Sequence, residues 1–299
     1  MHSKKLIVIV GPTAIGKTAV ALQLALALKT EIISADSRQI YRELEIGTAK
    51  PSSEQLMQVR HHFINTKSIT EEYDAGQFGR DALGVAEELF QKNDTVILCG
   101  GSGLYVKAVC EGFDEMPEVS VSVREGIIVE YKEKGLEWLQ WKVKDVDPDY
   151  FAVVDQKNPQ RLMRALELNL AIGKSITELR KQKKLEHSFS IVKIGLELDR
   201  EELYKRIDQR MDTMIESGLF EEAKRLSPQR NLNALQTVGY QEIFGYFDDL
   251  YDRAEAIRLL KRNSRRYAKR QMTWFKKDKT IKRFKSHEVD RILEYVHSI

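Results

Sequence analysis

Length, composition and charge narrow the class of protein before any motif is considered. The chain has 299 residues, of which 42% are hydrophobic and 31% charged, and its formal net charge is only +3. At about 150 residues per domain, this length predicts two domains or one large domain. The composition excludes the fibrous, disordered and low-complexity classes and is typical of a folded globular protein.

Cysteine content and the lengths of the apolar runs bear on the compartment. Cys99 and Cys110 are the only cysteines, too few for a disulfide framework or a four-cysteine zinc site. The apolar run after Lys5 is too short for a signal peptide, and no stretch approaches the roughly 20 apolar residues that span a bilayer. We therefore expect a cytoplasmic protein with no membrane partner.

The first part of the chain alternates strand-like and helix-like segments. Leu6–Val10 is a β-branched apolar run, typical of a buried parallel strand, and the apolar residues of Lys17–Leu28 predict a helix packed on it. Further strands are predicted at Glu31–Ala35, Thr95–Cys99 and Ile191–Leu198. Strands that alternate with helices indicate an α/β fold with a parallel sheet.

The last two of these strands lie too far apart for a single crossover connection. Between them, residues 114–187 carry helical patterns and few strand signals. We interpret this stretch as a helical insertion domain, and residues 1–113 and 188–299 as one core domain that it interrupts. From Asp199, a predicted N-cap, the pattern is helical almost to the carboxyl terminus. The helices predicted in the insertion are Val123–Tyr131, Trp138–Val143 and Gln160–Leu170.

The strongest motif follows the first predicted strand. Residues 11–18 read GPTAIGKT and match the phosphate-binding loop G-x-x-x-x-G-K-[ST], with a buried strand before it and a helix after it. In such a loop the backbone N–H groups surround phosphate oxygens, the Lys17 ammonium binds them, and the Thr18 hydroxyl binds Mg²⁺. The motif predicts binding of a diphosphate or longer group without specifying the molecule that carries it.

Asp36 is the candidate acid for the same site. The strand Thr95–Cys99 ends without the carboxylate that a motor-type ATPase uses to hold Mg²⁺. Asp36 instead follows the second predicted strand, and ligands of open α/β sheets bind beyond the carboxyl ends of the strands. A carboxylate there can accept the proton of an attacking nucleophile. The alternative interpretation is a turn or N-cap aspartate.

Three further features give weaker signals. The segment Gly100–Tyr105 would bring backbone and a hydroxyl to the same edge, but glycine-rich turns are common structural devices. Arg206 and Arg210 lie on one face of a predicted helix, where they either clamp phosphate oxygens or form surface ion pairs. His61–His62 has no second pair of ligands nearby in the sequence, so we assign no metal to it.

Positive charge is concentrated near the carboxyl terminus. Residues 258–285 contain thirteen Lys or Arg and a single acid, Asp278, interleaved with four aromatic residues. This mixture suits RNA, because cations bind backbone phosphates and aromatic rings stack on bases. A solvated helix face is the alternative interpretation. A smaller excess of basic residues runs from Lys157 to Lys184.

Five sequence blocks, in their order and spacing, carry a family resemblance. They read GPTAIGKT, ADSRQIYRELEIGTAKP, GGSGLYVKA, NPQRLMRALE and RRYAKRQMTWFKK. Spread over residues 11–277, they resemble the tRNA dimethylallyltransferases (tRNA isopentenyltransferases) of bacteria. The resemblance implies a P-loop NTPase-like parallel sheet core with a helical insertion domain and a helical carboxyl-terminal region. It also implies Mg²⁺ as cofactor, and we expect a monomer.

Members of this family transfer a dimethylallyl group from dimethylallyl diphosphate to N6 of adenosine 37, beside the anticodon of tRNA. The resemblance implies that the phosphate loop holds the prenyl diphosphate rather than ATP, with Thr13 and Lys17 as catalytic residues beside it. It implies that Asp36 accepts the N6 proton. The implied diphosphate-binding residues are Gly11, Pro12, Thr13, Ala14, Ile15, Gly16, Lys17, Thr18 and Arg210. The implied tRNA contacts are Asp36, Ser37, Arg38, Gln39, Ser102, Arg124, Gln160, Arg161, Leu162, Met163, Arg164, Lys269, Arg270, Gln271 and Trp274, with the insertion binding the anticodon stem-loop.

Two other functions stay open at this point. A small-molecule or nucleotide kinase would have much the same phosphate loop, acid and arginine pair, but it does not need the basic, aromatic carboxyl-terminal tract. A non-catalytic RNA-binding protein with a nucleotide switch would not need Lys17, Thr18 and Asp36 together.

Overall fold

A computed structural model describes residues 4–114, 116–179 and 185–299. The chain forms two compact units, one made of Met1–Glu111 and Glu186–Ile299 and the other of Gly112–Leu185. We term the first the core unit and the second the insertion unit. The insertion predicted from the sequence, residues 114–187, begins and ends two residues later than the insertion unit.

A parallel sheet organises the core unit. Its strands, within the described residues, are β1 (Lys5–Val10), β2 (Ile32–Ser34), β3 (His61–His62), β4 (Thr95–Gly100), β5 (Ser190–Glu197) and β6 (Lys282–Lys285). Their order is β3-β2-β4-β1-β5-β6 and every pairing is parallel. The continuous apolar run of β1 is explained by this topology, because a central parallel strand is covered on both faces.

Helices connect the strands and form the insertion unit. In chain order they are α1 (Lys17–Leu28), α2 (Ser53–Gln58), α3 (Ala75–Leu89), α4 (Gly103–Cys110), α5 (Val121–Val146), α6 (Pro148–Val153), α7 (Pro159–Ile172), α8 (Ile176–Leu179), α9 (Arg200–Glu216), α10 (Leu219–Leu226), α11 (Gln241–Phe247), α12 (Arg253–Lys276) and α13 (Val289–Ser298). Short 3₁₀ turns occur at Ile46–Thr48, Ser227–Gln229 and Asn233–Leu235. Within the described residues, every helix is too short or too polar to span a bilayer.

Successive side chains of β1 enter two different cores. Ile7 and Ile9 pack with residues of α1, α9 and α13 on one face of the sheet. Leu6 and Val8 pack with residues of α3 and α4 on the other face. Each fully buried aliphatic side chain of this kind contributes about 1.5–3 kcal/mol. The two faces together fix the sheet, and with it the positions of the loops at its carboxyl edge.

The insertion unit is helical and has its own core. Leu139 and Val143 of α5 pack against Leu162 and Leu166 of α7. Gly135 has φ 76° and interrupts the helical geometry of α5, which explains why the sequence shows two separate helical patterns there. The basic residues predicted to extend the positive stretch from 180 to 184 lie outside the described residues.

The sequence correctly predicts the strands β1, β2, β4 and β5 and a mainly helical carboxyl-terminal region, but it does not predict β6. That region is not helical throughout, since β6 joins the edge of the sheet beside β5. Only Phe284 of its four residues is buried, so no apolar alternation marks the strand. The charged residues on either side suit an edge strand, because they oppose pairing with another chain. β3 was also missed, since two residues carry no pattern.

Candidate active site

Three loops meet at the carboxyl edge of the sheet. Val10, the last residue of β1, pairs in register with Gly100 of β4, and Ser34 of β2 pairs with Cys99. The chain leaves each strand at this level, so the phosphate loop, the Asp36 loop and the Gly100–Tyr105 turn are adjacent. This is the edge at which ligands of open α/β sheets bind.

A pocket opens among these loops and draws on distant parts of the core unit. It contains six residues that the sequence predicted for the site, namely Thr13, Lys17, Thr18, Asp36, Gln39 and Arg210, together with Gln271. The other lining residues are Ala21, Ile32, Ser34, Ala49, Pro51, His61, Cys99, Gly100 and Tyr267. Of these, Gly100 belongs to the glycine-rich turn predicted for this edge, and Tyr267 belongs to the basic, aromatic tract. The pocket therefore combines cations and one carboxylate with small or apolar side chains.

Among the described residues, no carboxylate forms an ion pair with Lys17. Its Nζ donates a hydrogen bond to the Pro12 carbonyl oxygen at 2.7 Å. Burial lowers the pKa of the ammonium to about 8, while Cys99 and Asp36 oppose this shift and Arg210 adds to it. An ammonium in this state gains strongly from an incoming phosphate, because the phosphate supplies the negative charge that the pocket lacks.

The two arginines of α9 have different surroundings. Arg210 lines the pocket, and burial lowers the pKa of its guanidinium while Asp36 opposes the shift. Arg206, one turn earlier, pairs with Glu202 at the surface. Of the two alternatives predicted for this pair, the surface ion pair is found for Arg206, while Arg210 lies where the predicted anion clamp requires it. Lys17 and Arg210 together favour a ligand that carries more than one negative charge.

Asp36 combines a turn with a free oxygen. Its Oδ1 accepts hydrogen bonds from the backbone N–H of Arg38 at 2.9 Å and of Gln39 at 3.3 Å. Among the described residues nothing donates a hydrogen bond to Oδ2. The alternative interpretation of Asp36 as a turn residue is therefore correct for Oδ1. Oδ2 is left able to accept a proton.

The loop after Asp36 is tied to the turn after β4. The backbone N–H of Ser37 donates to Ser102 Oγ at 2.9 Å, and Ser102 Oγ lies 3.2 Å from Ser37 Oγ. The Gln39 amide donates to the carbonyl oxygens of Thr48 and Ala49. Ser37, Arg38 and Ser102 are half-buried. These bonds hold the predicted RNA-contacting loop in one conformation.

Gln271, for which RNA contact was predicted, joins two loops of the site. Its side chain is 7% exposed and lines the pocket. Oε1 accepts a hydrogen bond from Thr13 N at 2.8 Å, and Nε2 donates to the Gly101 carbonyl oxygen at 3.0 Å. A Cβ at position 101 would collide with this amide. Gly101 of the glycine-rich turn therefore allows α12 to pack closely against the turn.

The remaining predicted RNA contacts of α12 lie on its outer face. Arg270 places its guanidinium 5.6 Å from the centre of the Tyr267 ring. Trp274 is 36% exposed. A groove of about 380 Å³ lies along this face. We term the residues that line it the basic stripe: Arg266, Lys269, Arg270, Thr273, Trp274 and Lys277. These positions recur every three or four residues, as one face of a helix requires.

In the insertion unit, the predicted contacts fall into two groups. Glu167 is 4% exposed and forms ion pairs with Arg124 at 3.0 Å and Arg164 at 3.2 Å. Gln160 and Arg161 lie in the first turn of α7. Leu162 is fully buried in the core of the unit and Met163 packs against it. The prediction of a side-chain contact to RNA was therefore wrong for Leu162, whose role is packing.

The residues of the pocket fit a metal ion only together with a bound ligand. Among the described residues, no three His, Cys, Asp or Glu side chains lie close enough to hold a metal ion by themselves. Mg²⁺ commonly uses one or two protein oxygens together with substrate phosphates and water. Thr18 lines the pocket beside Lys17, so the site fits Mg²⁺ held jointly by its hydroxyl and a diphosphate.

Three titratable residues of the pocket, Tyr267, Cys99 and His61, were not predicted to lie there. Burial raises the pKa of Tyr267 and of the Cys99 thiol to about 12, so both stay neutral near pH 7. Burial lowers the pKa of His61, and its Nδ1 lies 2.9 Å from the Val59 carbonyl oxygen. No local motif marks any of them. Tyr267 stands in the basic, aromatic tract, which predicted RNA contact rather than a place in the pocket.

Comparisons with known proteins agree with this geometry. A sequence model of the IPP transferase family matches residues 39–278. The tRNA dimethylallyltransferase of Cytophaga hutchinsonii is 50% identical over 296 residues, covering 99% of this chain and 97% of the relative. The tRNA dimethylallyltransferase 1 of Bacteroides fragilis is 47% identical over 298 residues, covering 100% and 99%.

Solved structures of tRNA-modifying transferases also resemble this chain. The full-length tRNA isopentenylpyrophosphate transferase of Bacillus halodurans has a TM-score of 0.73 and 36% identity, covering 99% of this chain and 96% of that one. A eukaryotic dimethylallyltransferase acting on tRNA has a TM-score of 0.76 at 24% identity, covering 96% and 75%, which supports the fold alone. Since sequence and structural matches extend over nearly its full length, this chain belongs to the IPP transferase family.

Proposed function

We propose that this protein is a tRNA dimethylallyltransferase, which transfers the dimethylallyl group of dimethylallyl diphosphate to N6 of adenosine 37 in tRNA. The observation that carries the proposal is the pocket in which Asp36 faces two cations, Lys17 and Arg210, within a chain of the IPP transferase family. The cations suit a diphosphate, and the carboxylate suits an acceptor that must lose a proton.

The reaction breaks one bond and forms another. The allylic C–O bond breaks, diphosphate departs with the electron pair, and N6 forms a bond to the allylic carbon. Negative charge grows on the departing oxygen, so Lys17 and Arg210 stabilise the transition state more than the ground state. Mg²⁺, held by Thr18 and the diphosphate oxygens, would supply further positive charge when bound.

The adenine amino group is a weak nucleophile that must also lose a proton. The free Oδ2 of Asp36 accepts this proton as the N–C bond forms, while Oδ1 stays fixed by the N–H groups of Arg38 and Gln39. Orientation contributes as much as basicity, because reaction requires N6 to approach the allylic carbon in line with the breaking bond. Thr13, which Gln271 holds beside the diphosphate, completes the catalytic set.

Adenosine 37 must leave its stack to enter the pocket. An unpaired loop base is extruded for a few kcal/mol, less than a base in a duplex. The outer stripe of α12 suits the RNA backbone and a stacked base, and the arginines around Glu167 suit the anticodon stem-loop. The family match favours this function over the kinase, which needs neither surface.

Mass spectrometry of tRNA nucleosides tests the proposal directly. Unmodified tRNA is incubated with the protein, dimethylallyl diphosphate and Mg²⁺, then digested, and N6-dimethylallyladenosine is expected at position 37. A parallel incubation uses labelled ATP with candidate metabolite acceptors. Label transfer from ATP, together with unmodified tRNA, would reject the proposal in favour of a kinase.

A further inference from the structure

Glu222 is a buried carboxylate that the proposed reaction does not use. It lies on α10 and is 4% exposed. Oε2 accepts hydrogen bonds from the backbone N–H of Glu45 at 3.1 Å and of Ile46 at 2.9 Å, and Oε1 accepts from Gly47 N–H at 2.9 Å. The side chain thus binds three consecutive amides of a loop 175 or more residues away in sequence.

Tyr240 completes the set of donors. Its hydroxyl donates to Glu222 Oε1 at 2.6 Å, and the tyrosine is fully buried. A carboxylate offers about four lone-pair positions, and here all four are filled. The ring also lies against Gly47, where a Cβ would come within 2.6 Å of it. Position 47 therefore has to be glycine for this arrangement to form.

The segment held in this way leads directly to the site. Gln39 donates from its amide to the carbonyl oxygens of Thr48 at 3.2 Å and Ala49 at 3.1 Å. The backbone N–H of Gln39 in turn donates to Asp36 Oδ1. A continuous chain of hydrogen bonds therefore runs from Glu222 through residues 45–49 and Gln39 to the carboxylate that we propose as the base.

We propose that Glu222 is a positioning residue for the reaction, and that with Tyr240 it fixes the segment 36–49 so that Asp36 and the entering base are aligned. This inference rests on the proposed function. A neutral or shorter side chain does not replace the carboxylate, because no other group accepts from all four donors. Glu222 bonds to residues 45–47 and not to the phosphate loop, so we expect its loss to affect the alignment of Asp36 more than the binding of the diphosphate.

Glu242 provides a matched control. It is 5% exposed, and it accepts hydrogen bonds from Gly239 N–H at 2.8 Å and Asn263 Nδ2 at 2.7 Å, without a bond to the segment 36–49. Replacement of either glutamate by glutamine removes one buried negative charge from the same region of the core unit. Since only Glu222 bonds to the segment, we expect only Glu222→Gln to loosen it. Ile40 and Leu44 stay buried among residues of α10 and α11, which keeps the segment attached in that variant.

The test compares Glu222→Gln, Tyr240→Phe and Glu242→Gln in the full chain. For Glu222→Gln we expect kcat at saturating tRNA to fall about 10- to 100-fold, as expected of misplaced reacting groups, while KM for dimethylallyl diphosphate stays within about twofold. Tyr240→Phe removes one of the four bonds, so its kcat should fall less. Glu242→Gln should keep a kcat within about twofold of the parent, because Glu242 makes no bond to the segment 36–49.

Hydrogen exchange of the amides of residues 45–47 gives a second readout without substrates. We expect exchange at least about tenfold faster in Glu222→Gln and unchanged in Glu242→Gln. The inference is overturned if Glu222→Gln and Glu242→Gln lose activity alike, or if donor KM rises in step with the loss of kcat. Should Glu222→Gln fail to fold, Tyr240→Phe decides, and a kcat equal to that of the parent overturns the inference. Failure of the parent to modify tRNA would instead reject the proposed function, while the exchange result would stand.

Discussion

At the scale of single residues, surroundings decide chemistry more than residue type does. Arg206 and Arg210 lie one helical turn apart, yet one pairs with Glu202 in solvent and the other lines the pocket near Asp36. The same holds within Asp36, where one oxygen is used by a turn and the other is free. The helical spacing of the arginines was readable in the sequence, but the groups opposite each face were not.

The lowered pKa of Lys17 predicts a pH dependence for donor capture. The ammonium binds diphosphate and the neutral amine does not, so kcat/KM for dimethylallyl diphosphate should be level below about pH 8 and fall above it. The direction follows from burial, which favours loss of the proton at lower pH than in free lysine. Initial rates at fixed saturating tRNA measure this profile. Lys17→Arg retains its charge throughout, so persistence of the same fall in that variant would assign the pKa elsewhere.

Substitution of Asp36 should slow the chemical step without weakening tRNA binding. Asp36→Asn keeps an acceptor oxygen for the turn and removes the base, so kcat should fall about 10²- to 10⁴-fold, the usual range for loss of general base catalysis. The Kd for tRNA should change by less than about threefold. Single-turnover rates and filter-binding affinities report the two quantities. A variant with the parent rate would exclude Asp36 as the base.

At the scale of elements, α12 performs two tasks on opposite faces. Its inner face carries Gln271 and Phe275 into the core unit, and its outer face presents the basic stripe with Trp274. The charge and aromatic content of the tract predict an RNA surface, with a solvated helix face as the alternative, but they do not show which residues lie on which face. The helical period separates the two faces only when the position of the sheet is known.

Substitutions on the two faces of α12 should therefore affect different substrates. Gln271→Ala leaves the Thr13 N–H without its acceptor, a loss of about 1–3 kcal/mol, so donor KM should rise about fivefold or more while tRNA affinity is unchanged. Lys269→Ala should weaken tRNA binding several-fold and leave donor KM unchanged. Steady-state kinetics with each substrate varied in turn distinguish them, and identical profiles for both variants would contradict the division of faces.

At the scale of the whole molecule, charge is segregated although the total is close to neutral. The net charge of the chain is only +3, yet residues 258–285 contain thirteen Lys or Arg. Three of these cations, Arg258, Lys261 and Arg265, are engaged with acids of α9 or α12. The groove-lining stripe further along α12 forms no ion pair within the described part of the chain, so it keeps its charge for a partner.

This segregation predicts a strong salt dependence of tRNA binding. Each phosphate that is neutralised on single-stranded RNA releases counterions and contributes about −0.7 to the slope of log K against log salt. Alanine at Lys269 and Arg270 together should make the slope less steep by about one unit or more. Fluorescence anisotropy with labelled tRNA between low and moderate salt measures the slopes. Affinity that hardly changes with salt would contradict the assignment of the stripe to RNA.

The sequence by itself determined the features that contiguous residues produce. The phosphate loop lies within eight residues, and the strands β1, β2, β4 and β5 are marked by local apolar runs, so the parallel core and the anion site followed from local chemistry. Tertiary structure alone decided which distant groups complete the pocket and hold it. Tyr267 and Gln271 line the pocket, and Glu222 binds the segment 45–47 beside it, in each case across more than 150 residues of chain. Such contacts are set by how helices pack on the sheet. No local pattern encodes that packing, because it depends on both partners at once.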